Sequence, residues 1–375
     1  MSTVKKKLLV SLTSTIVALP LLEIGLRVGG FDYPPAWVPP LIWNPKQDKK
    51  LDSDDYLFQH AVRQLWTPRP GASVEWSKKG ERINEDGHRG PRLAFDKTAG
   101  VLRVATLGDS STFGHSVEYD ECYSGQLETM LDDSGLESEV LCGGVIGFRI
   151  RQGIERYKEF IRPYSPDIVV VAFGAYNEHV PGANGLDDRQ LISMNTREDS
   201  ATGRSIKKLR KETRIGHLAG YISDEIRGGR DELRQKTNQQ KRETNKLNKT
   251  SGEADWPGVR KVGLNDFRES LDELCDMIER DGARPIVVSM PRTARLEKEK
   301  PILPRYTTVV EEFVADRGVE WVDAHTRFRE RENETNKWRE IFVDNVHPNP
   351  KGHGWIAEGL TKIIRGWYPN GKQGE

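Results

Sequence analysis

Ser110 lies where an apolar run ends in Gly-Asp-Ser and continues through small polar residues to Gly114. A buried strand that breaks abruptly into a helix places the residue at the break on the carboxyl edge of a sheet, where ligands of open α/β sheets bind. The Ser110 hydroxyl would then lie near backbone N–H groups at a helix start, which favour negative charge. The position therefore predicts a nucleophile, although Gly-Asp-Ser is also ordinary turn chemistry.

A serine nucleophile requires a base, an acid that orients this base, and donors for an oxyanion. Toward the end of the sequence, Asp344 stands three residues before His347. At that spacing a carboxylate can curl round and accept from one imidazole nitrogen, which leaves the other nitrogen for Ser110. We therefore predict His347 as the base and Asp344 as the acid. The alternative is that both belong to a turn, because the neighbouring Asp-Asn and Pro-Asn-Pro sequences form turns themselves.

The helix expected after His347 distinguishes two histidines. Asn349 is a typical helix cap and Pro350 suits a first turn, so a closing helix is predicted through residues 354–364. His347 then lies in the loop just before this helix. His353 is a rival base, but it falls inside the helix and has no carboxylate at the corresponding spacing.

Two further segments supply candidate donors for an oxyanion. Gly144 follows a short predicted strand, and glycine permits a close approach of its backbone N–H to developing charge. Asn177 follows a buried predicted strand that breaks at Gly174, and its side-chain amide is the third candidate beside the N–H groups of Ser110 and Gly144. The alternatives are an ordinary strand-to-helix turn at Gly144 and an asparagine that bonds its own backbone. Asp109 is assigned to the shape of the turn rather than to the triad.

After Gly100 the sequence alternates between short apolar runs and helix-like stretches. The predicted strands are 102–107, 140–141, 168–173, 286–290 and 319–322. The predicted helices are 121–131, 150–161, 266–280 and 307–315. Strands that alternate with helices at this spacing indicate a parallel sheet covered on both faces, and such two-sided burial requires apolar runs without period-two alternation.

These blocks resemble those of the SGNH/GDSL hydrolases and occur in that family's order: Gly108-Asp109-Ser110 with Thr112 and Gly114, then Gly144 and Gly147, then Gly174 with Asn177, then Asp344-x-x-His347-Pro348. The resemblance covers residues 102–368, apart from an insertion. It implies a flavodoxin-like three-layer α/β/α sandwich with a parallel sheet, the SGNH hydrolase fold. It also implies Ser110 as nucleophile, His347 as base and Asp344 as orienting acid. The N–H groups of Ser110 and Gly144 and the amide of Asn177 would form the oxyanion hole.

Two positions depart from the family pattern. The second block usually has asparagine two residues before its glycine, where this chain has Cys142. The third block is usually Gly-x-Asn-Asp, but this chain has Gly174-Ala-Tyr-Asn177-Glu178. Glu178 is expected to keep the negative charge of the aspartate on a longer side chain.

The start of the sequence predicts a membrane location. Lys5, Lys6 and Lys7 precede an uncharged run over 8–22, an order typical of a secretory signal or a membrane anchor. We expect residues 1–30 to be an uncleaved N-terminal membrane helix, with the catalytic domain extracytoplasmic, either periplasmic or at the cell surface. The anchor also resembles that of membrane-bound envelope members of the family. A cleaved, secreted chain and a buried helix of a soluble protein are the alternatives.

The rest of the chain divides by composition. Residues 31–100 combine a linker rich in proline and tryptophan with a short β-like segment, in which 82–91 is expected to form a strand followed by glycine turns. The catalytic domain is predicted over 101–368, with a charged insertion at about 184–260. Residues 369–375 are predicted to be a tail.

The insertion is crowded with charged and polar residues, so a core strand cannot run through it. Residues 206–226 are expected to form one amphipathic helix, and 235–252 to be solvated or disordered. The insertion is either a lid or platform for the substrate, or a solvated excursion without function.

The composition of the chain argues against several other classes of function. Lys+Arg and Asp+Glu both number 57, so the formal net charge is zero and no overall field favours nucleic acid. Three scattered cysteines without a CxxC pair argue against a disulfide scaffold and a structural zinc site, and leave one bridge open. The sequence has no P-loop and no HExxH motif, so no cofactor or metal is predicted.

We therefore predict a serine hydrolase that cleaves carboxylic esters through an acyl-enzyme. Small acyl groups on a cell-envelope glycan are the expected substrate, with an acylated lipid as the other candidate. An O-acyltransferase for an envelope polysaccharide would use the same triad. A non-catalytic glycan-binding module is the third alternative.

Overall fold

The computed structural model describes residues 17–33, 56–182, 185–226 and 250–369. These residues form two compact units. The larger unit comprises the described residues of 41–193 and 246–375, and the smaller unit those of 1–40 and 194–245. All residues of the candidate site belong to the larger unit.

The larger unit contains a small hairpin and a main sheet of five parallel strands. The strands are β1 (Phe58–Ala61), β2 (Leu65–Pro68), β3 (Leu102–Gly108), β4 (Ser138–Cys142), β5 (Ile168–Ala172), β6 (Arg284–Val288) and β7 (Trp321–Val322). The hairpin pairs β1 with β2 in antiparallel fashion. The main sheet has the order β4-β3-β5-β6-β7, which is the 2-1-3-4-5 order of flavodoxin-like folds.

Helices follow most of these strands. They are α1 (17–28), α2 (Ser110–Phe113), α3 (Tyr123–Asp133), α4 (Ile150–Arg156), α5 (Asp188–Glu198), α6 (Ala201–Glu212), α7 (Arg214–Ile226), α8 (Leu264–Arg280), α9 (Ala294–Glu299), α10 (Leu303–Arg317), α11 (Ala324–Thr335) and α12 (Pro350–Trp367). Of these, α1, α6 and α7 belong to the smaller unit.

Alternate residues of the central strands point into two separate cores. Along β3, Ala105 and Leu107 join one core with the apolar sides of α8 and α10. Leu102 and Val104 join the other core with α3 and α12. Every residue of β3 is buried because helices cover both faces of the sheet. The predicted three-layer sandwich with a parallel sheet is therefore confirmed.

The order of the strands creates a crevice at the end of β3. This strand lies between β4 and β5, and such a reversal of strand order opens a ligand crevice at the carboxyl ends. Gly108 ends β3 at this point. A Cβ there would lie 2.0 Å from Thr112 Oγ1 and 2.5 Å from the carbonyl oxygen of Ala172. Glycine thus permits the tight turn from β3 into α2, which begins with Ser110.

The predicted strands and helices of the sheet domain occur within a few residues of their expected bounds. The helix expected over 150–161 begins as α4 and continues as a π-helical turn, Tyr157–Ile161. Helices α9 and α11 were not predicted from the sequence. The second of these buries Ala324 and Phe328, too few apolar residues for a visible helical stripe.

Two predicted elements are wrong. The segment 82–91, all of it described, contains isolated bridges from Arg82 to Ser73 and from Arg89 to Cys142 instead of a strand. The glycine turns expected after the strand are present, with positive φ angles at Gly87 and Gly90. The single helix expected over 206–226 is two helices, α6 and α7, because Thr213 between them has an extended backbone.

Along residues 17–33, 56–182, 185–226 and 250–369, no helix has both the length and the apolar content needed to cross a bilayer. The predicted anchor includes residues 1–16, which lie outside the described residues. The same is true of 34–55 in the proline-rich linker and of 235–249 in the segment expected to be disordered.

Candidate active site

Ser110 is the first residue of α2, directly after the turn that ends β3. Asp109 caps this short helix, and its Oδ1 accepts a hydrogen bond from the N–H of Ser111 at 2.9 Å. The helix ends after one turn at Gly114, which has a positive φ of 78°. This backbone holds Ser110 at the carboxyl edge of the sheet, where 7% of the residue is exposed.

His347 joins Ser110 to Asp344 in one hydrogen-bonded chain. Its Nε2 lies 2.8 Å from Ser110 Oγ, and its Nδ1 lies 2.7 Å from Asp344 Oδ2. With the ring proton on Nδ1, His347 donates to the carboxylate and accepts from the Ser110 hydroxyl. A base placed in this way can remove the hydroxyl proton during attack on a carbonyl carbon.

The loop before α12 holds Asp344 in the orientation that this chain requires. Its Oδ1 accepts from the N–H groups of Val346 and His347, each at 2.8 Å. Burial acts to raise the pKa of Asp344, but hydrogen bonds from His347 and the backbone outweigh it and hold this pKa well below its usual range. Asn349 caps α12 as predicted, and its side chain accepts from the N–H of Gly352 at 3.0 Å. Asp344 therefore stays ionised beside His347.

A second imidazole, that of His115, stacks on His347. The ring centroids are 4.5 Å apart, with 26° between the planes. His115 also contacts the Trp76 ring at 4.7 Å. Burial, and then the nearby charge of His347, lower the pKa of His115 to about 4, so it is neutral near neutral pH. Sequence reasoning missed His115, because the stack depends on the turn after α2, where Gly114 and Ser116 have positive φ.

Gly144 lies against the backbone of α2. A Cβ at this position would be 2.3 Å from the nitrogen of Phe113. The same segment continues along the end of β3, where the N–H of Val145 donates to the carbonyl of Gly108 at 3.1 Å. The structure thus brings Gly144 beside the turn that carries Ser110, and the close approach requires glycine.

Asn177 is tied to the same turn through Asp109. Its Nδ2 donates to Asp109 Oδ2 at 3.1 Å rather than to its own backbone. Asp109 thus accepts at both carboxylate oxygens, which confirms its predicted role in shaping the turn. Burial raises the pKa of Asp109 to about 6, against the opposing bonds from Ser111 and Asn177 and the charge of His347. The Asn177 amide carries two N–H groups, and this bond uses one of them.

Glu178 does not carry the negative charge that the sequence led us to expect. It is 1% exposed, and neither carboxyl oxygen has a side-chain hydrogen-bond partner among the described residues. Burial, and then the charge of Asp109, raise the pKa of Glu178 to about 8. The positive charge of Arg149 and nearby backbone N–H groups oppose this shift without cancelling it. Glu178 is therefore mainly protonated near neutral pH.

His353, the other candidate base, forms a hydrogen bond with Tyr123 rather than with Ser110. It lies inside α12, as predicted, and is fully buried. Its Nδ1 accepts from the N–H of Tyr123 at 3.2 Å. Burial, and then the charge of His347, lower the pKa of His353 to about 3. The histidine that reaches Ser110 is His347.

Comparisons with known proteins identify a family. The sequence model of the GDSL-like Lipase/Acylhydrolase family matches residues 106–355. No curated protein sequence matches the chain. Similar solved structures include Axe2, an acetylxylan esterase from Geobacillus stearothermophilus, at 14% identity and a TM-score of 0.44, covering 71% of this chain and 96% of that one. Another is the lipase/acylhydrolase from Enterococcus faecalis, at 15% identity and a TM-score of 0.44, covering 71% and 97%.

Replacing Glu178 by glutamine should make folding less sensitive to rising pH. The folded pKa of about 8 exceeds the ordinary 4.5, so between these values the native state holds a proton that the unfolded chain has lost. The contribution of this proton to stability is complete below about pH 4.5 and is lost as the pH rises through about 8. In urea titrations, the free energy of unfolding of Glu178→Gln relative to the parent should therefore increase from about pH 5 to about pH 8.

Glu312→Gln, on the exposed side of α10, is the matched control for this substitution and should show no such trend. A stability difference for Glu178→Gln that stays constant across the same pH range would contradict a buried, protonated carboxyl at position 178.

Proposed function

Because the chain belongs to the GDSL-like lipase/acylhydrolase family, it is a serine esterase, and we propose that Ser110, His347 and Asp344 are its catalytic triad. The observation that carries this proposal is the chain of two hydrogen bonds from Ser110 Oγ through His347 to Asp344, at 2.8 and 2.7 Å. A serine nucleophile needs the tautomer in which Nδ1 carries the proton and the unprotonated Nε2 accepts from the serine hydroxyl.

In the proposed reaction, Ser110 Oγ attacks the carbonyl carbon of an ester while its proton passes to His347 Nε2. Asp344 stabilises the imidazolium without taking the proton, and its lowered pKa supports this role. His347 then protonates the departing alkoxide as the acyl-enzyme forms. His347 then deprotonates a water molecule, which attacks the acyl-enzyme. The carboxylic acid is released, and Ser110 Oγ takes the proton back from His347.

The proposed oxyanion hole consists of the N–H groups of Ser110 and Gly144 and the side-chain amide of Asn177. The contact of Gly144 with the α2 backbone supports its place in this set. Asn177 is supported by its bond to Asp109, which fixes the amide and leaves one N–H for a ligand. Donors that are fixed in advance stabilise developing charge without reorganising during the reaction.

His115 is proposed to position the base. A flat ring stacked on His347 restricts rotation of the imidazole and keeps Nε2 directed at Ser110. Because His115 is neutral near neutral pH, it places no second positive charge beside the imidazolium that forms.

The proposed substrate is a small acyl ester on a cell-envelope glycan. We place the chain at a membrane through residues 1–30, with the catalytic unit outside the cytoplasm, because three lysines precede an uncharged apolar run. An enzyme held there meets envelope polymers. Membership of an acylhydrolase family sets aside the non-catalytic glycan-binding module.

Ser110→Ala should abolish hydrolysis of p-nitrophenyl acetate, because the acyl-enzyme cannot form. We expect kcat to fall by on the order of 10⁴-fold or more, with the fold unchanged by circular dichroism. Ser134→Ala, at the C-terminus of α3, is the matched control and should keep the parent rate. Activity that survives in Ser110→Ala would end the triad assignment. Acetyl groups recovered on an added glycan, in place of free acetate, would identify acyl transfer instead of hydrolysis.

Asn177→Ala should lower kcat by about 10²–10³-fold with little change in KM, because an oxyanion donor acts on the transition state. Steady-state kinetics with p-nitrophenyl acetate measure both constants. Glu178→Gln changes the next side chain without removing a donor, and it should stay within a few-fold of the parent. A loss of less than about ten-fold in Asn177→Ala would exclude this amide from the oxyanion hole.

A further inference from the structure

Helix α1 in the smaller unit exposes apolar side chains around most of its circumference. The exposed residues and their exposed fractions are Val17 (59%), Leu19 (46%), Leu21 (63%), Leu22 (43%), Ile24 (57%) and Val28 (84%). A wide exposed apolar patch on a helix is typical of a surface that meets a membrane or another protein. Exposure of this kind therefore indicates that something covers α1.

The two charged residues of α1, Glu23 and Arg27, form hydrogen bonds with the backbone of α6 and α7 in the same unit. Glu23 accepts from the N–H groups of Arg214 and Ile215, at 3.0 and 2.9 Å, and so closes the start of α7. Arg27 donates to Glu23 at 2.8 Å and to the carbonyl of Glu212 at 3.3 Å. Because Glu23 of α1 accepts from the first N–H groups of α7, helix α7 starts beside the end of the uncharged run 8–22.

Helix α7 has two different faces. One face packs on the segment after α1, where the Tyr221 ring meets those of Phe31 and Tyr33 edge to face. The other face exposes Ile222 (49%) and Ile226 (81%), which with Ala219 follow a helical spacing of three and four residues. Ser223 lies beside these side chains on the same face of α7.

The sequence near α1 and α7 indicates what kind of surface covers their exposed apolar side chains. An uncharged run from Leu8 leads into α1, and three lysines precede it. Helix α6 carries five Lys and Arg residues between positions 204 and 211. A sequence that combines an apolar run with dense groups of basic residues suits the surface of a bilayer with anionic headgroups, where each Lys or Arg adds attraction.

We propose that the smaller unit is a membrane-surface module, in which α1 enters an anionic bilayer and α7 lies along it with Ala219, Ile222 and Ile226 in the lipid. In this proposal helix α7 of the insertion contacts lipid. This inference rests on the proposed membrane location and is independent of the triad.

The test uses the full chain in vesicles, with a nitrobenzoxadiazole label on an introduced cysteine. Cys122, Cys142 and Cys275 are unpaired and buried, so the label is directed to Ile226→Cys on α7 or to the control, Thr308→Cys on α10. In phosphatidylglycerol-rich vesicles the emission at 226 should shift to shorter wavelength, and lipids with a nitroxide near the headgroup should quench it. The label at 308 should show neither change. Ala219→Cys on the same stripe repeats the measurement if Ile226→Cys does not fold.

Equal quenching at 226 and 308 in protein that sediments with the vesicles would overturn the proposal. A label that is shielded but not quenched, and that becomes exposed on dilution, would show a second copy on α7 and would also overturn it. Protein that stays free of the vesicles would refute both this inference and the membrane location. Turnover of p-nitrophenyl acetate by the same samples reports separately on the triad.

Discussion

Asp344 accepts hydrogen bonds from three N–H groups, two of the backbone and one of the His347 ring. A carboxylate fixed in this way decides which imidazole nitrogen carries the proton, and so presents the other nitrogen to Ser110. The loop that holds Asp344 is closed by a further bond, from the N–H of Val343 to the carbonyl of His347 at 2.8 Å. The sheet must then bring two segments from opposite ends of the domain within hydrogen-bond distance, because Ser110 follows β3 and His347 precedes α12.

Three acidic side chains near this site differ in charge because their surroundings differ. Asp344 is partly exposed and multiply bonded, and its pKa is lowered. Asp109 is buried but accepts two hydrogen bonds, and its pKa rises to about 6. Glu178 is buried without a side-chain partner among the described residues, and its pKa rises to about 8. A negative charge is therefore favoured on Asp344, next to the base, and disfavoured on the buried Asp109 and Glu178. Acidic groups whose pKa values are separated in this way are typical of catalytic sites.

The sheet and the placement of the candidate triad could be predicted from the sequence because both depend on local patterns. Parallel strands buried on two faces need mainly apolar runs, which β5 shows without interruption and β3 shows apart from Arg103 and Thr106. The stack of His115 on His347 could not be predicted, since it joins distant segments through a particular backbone turn. The neutral state of Glu178 depends on burial, which residue spacing does not encode. The catalytic roles of Ser110, His347 and Asp344 stay predictions.

The hydrogen bond from Ser110 to His347 makes Ser110 the expected nucleophile and His347 the base that activates it. Reaction of the full chain with a fluorophosphonate, followed by peptide mapping, distinguishes such a serine from the others, because this reagent captures an activated serine without any assumption about the ester substrate. We expect a single adduct on Ser110, formed far more slowly in His347→Ala. An adduct on a neighbouring serine such as Ser111, or equal labelling of Ser110 in His347→Ala, would contradict it.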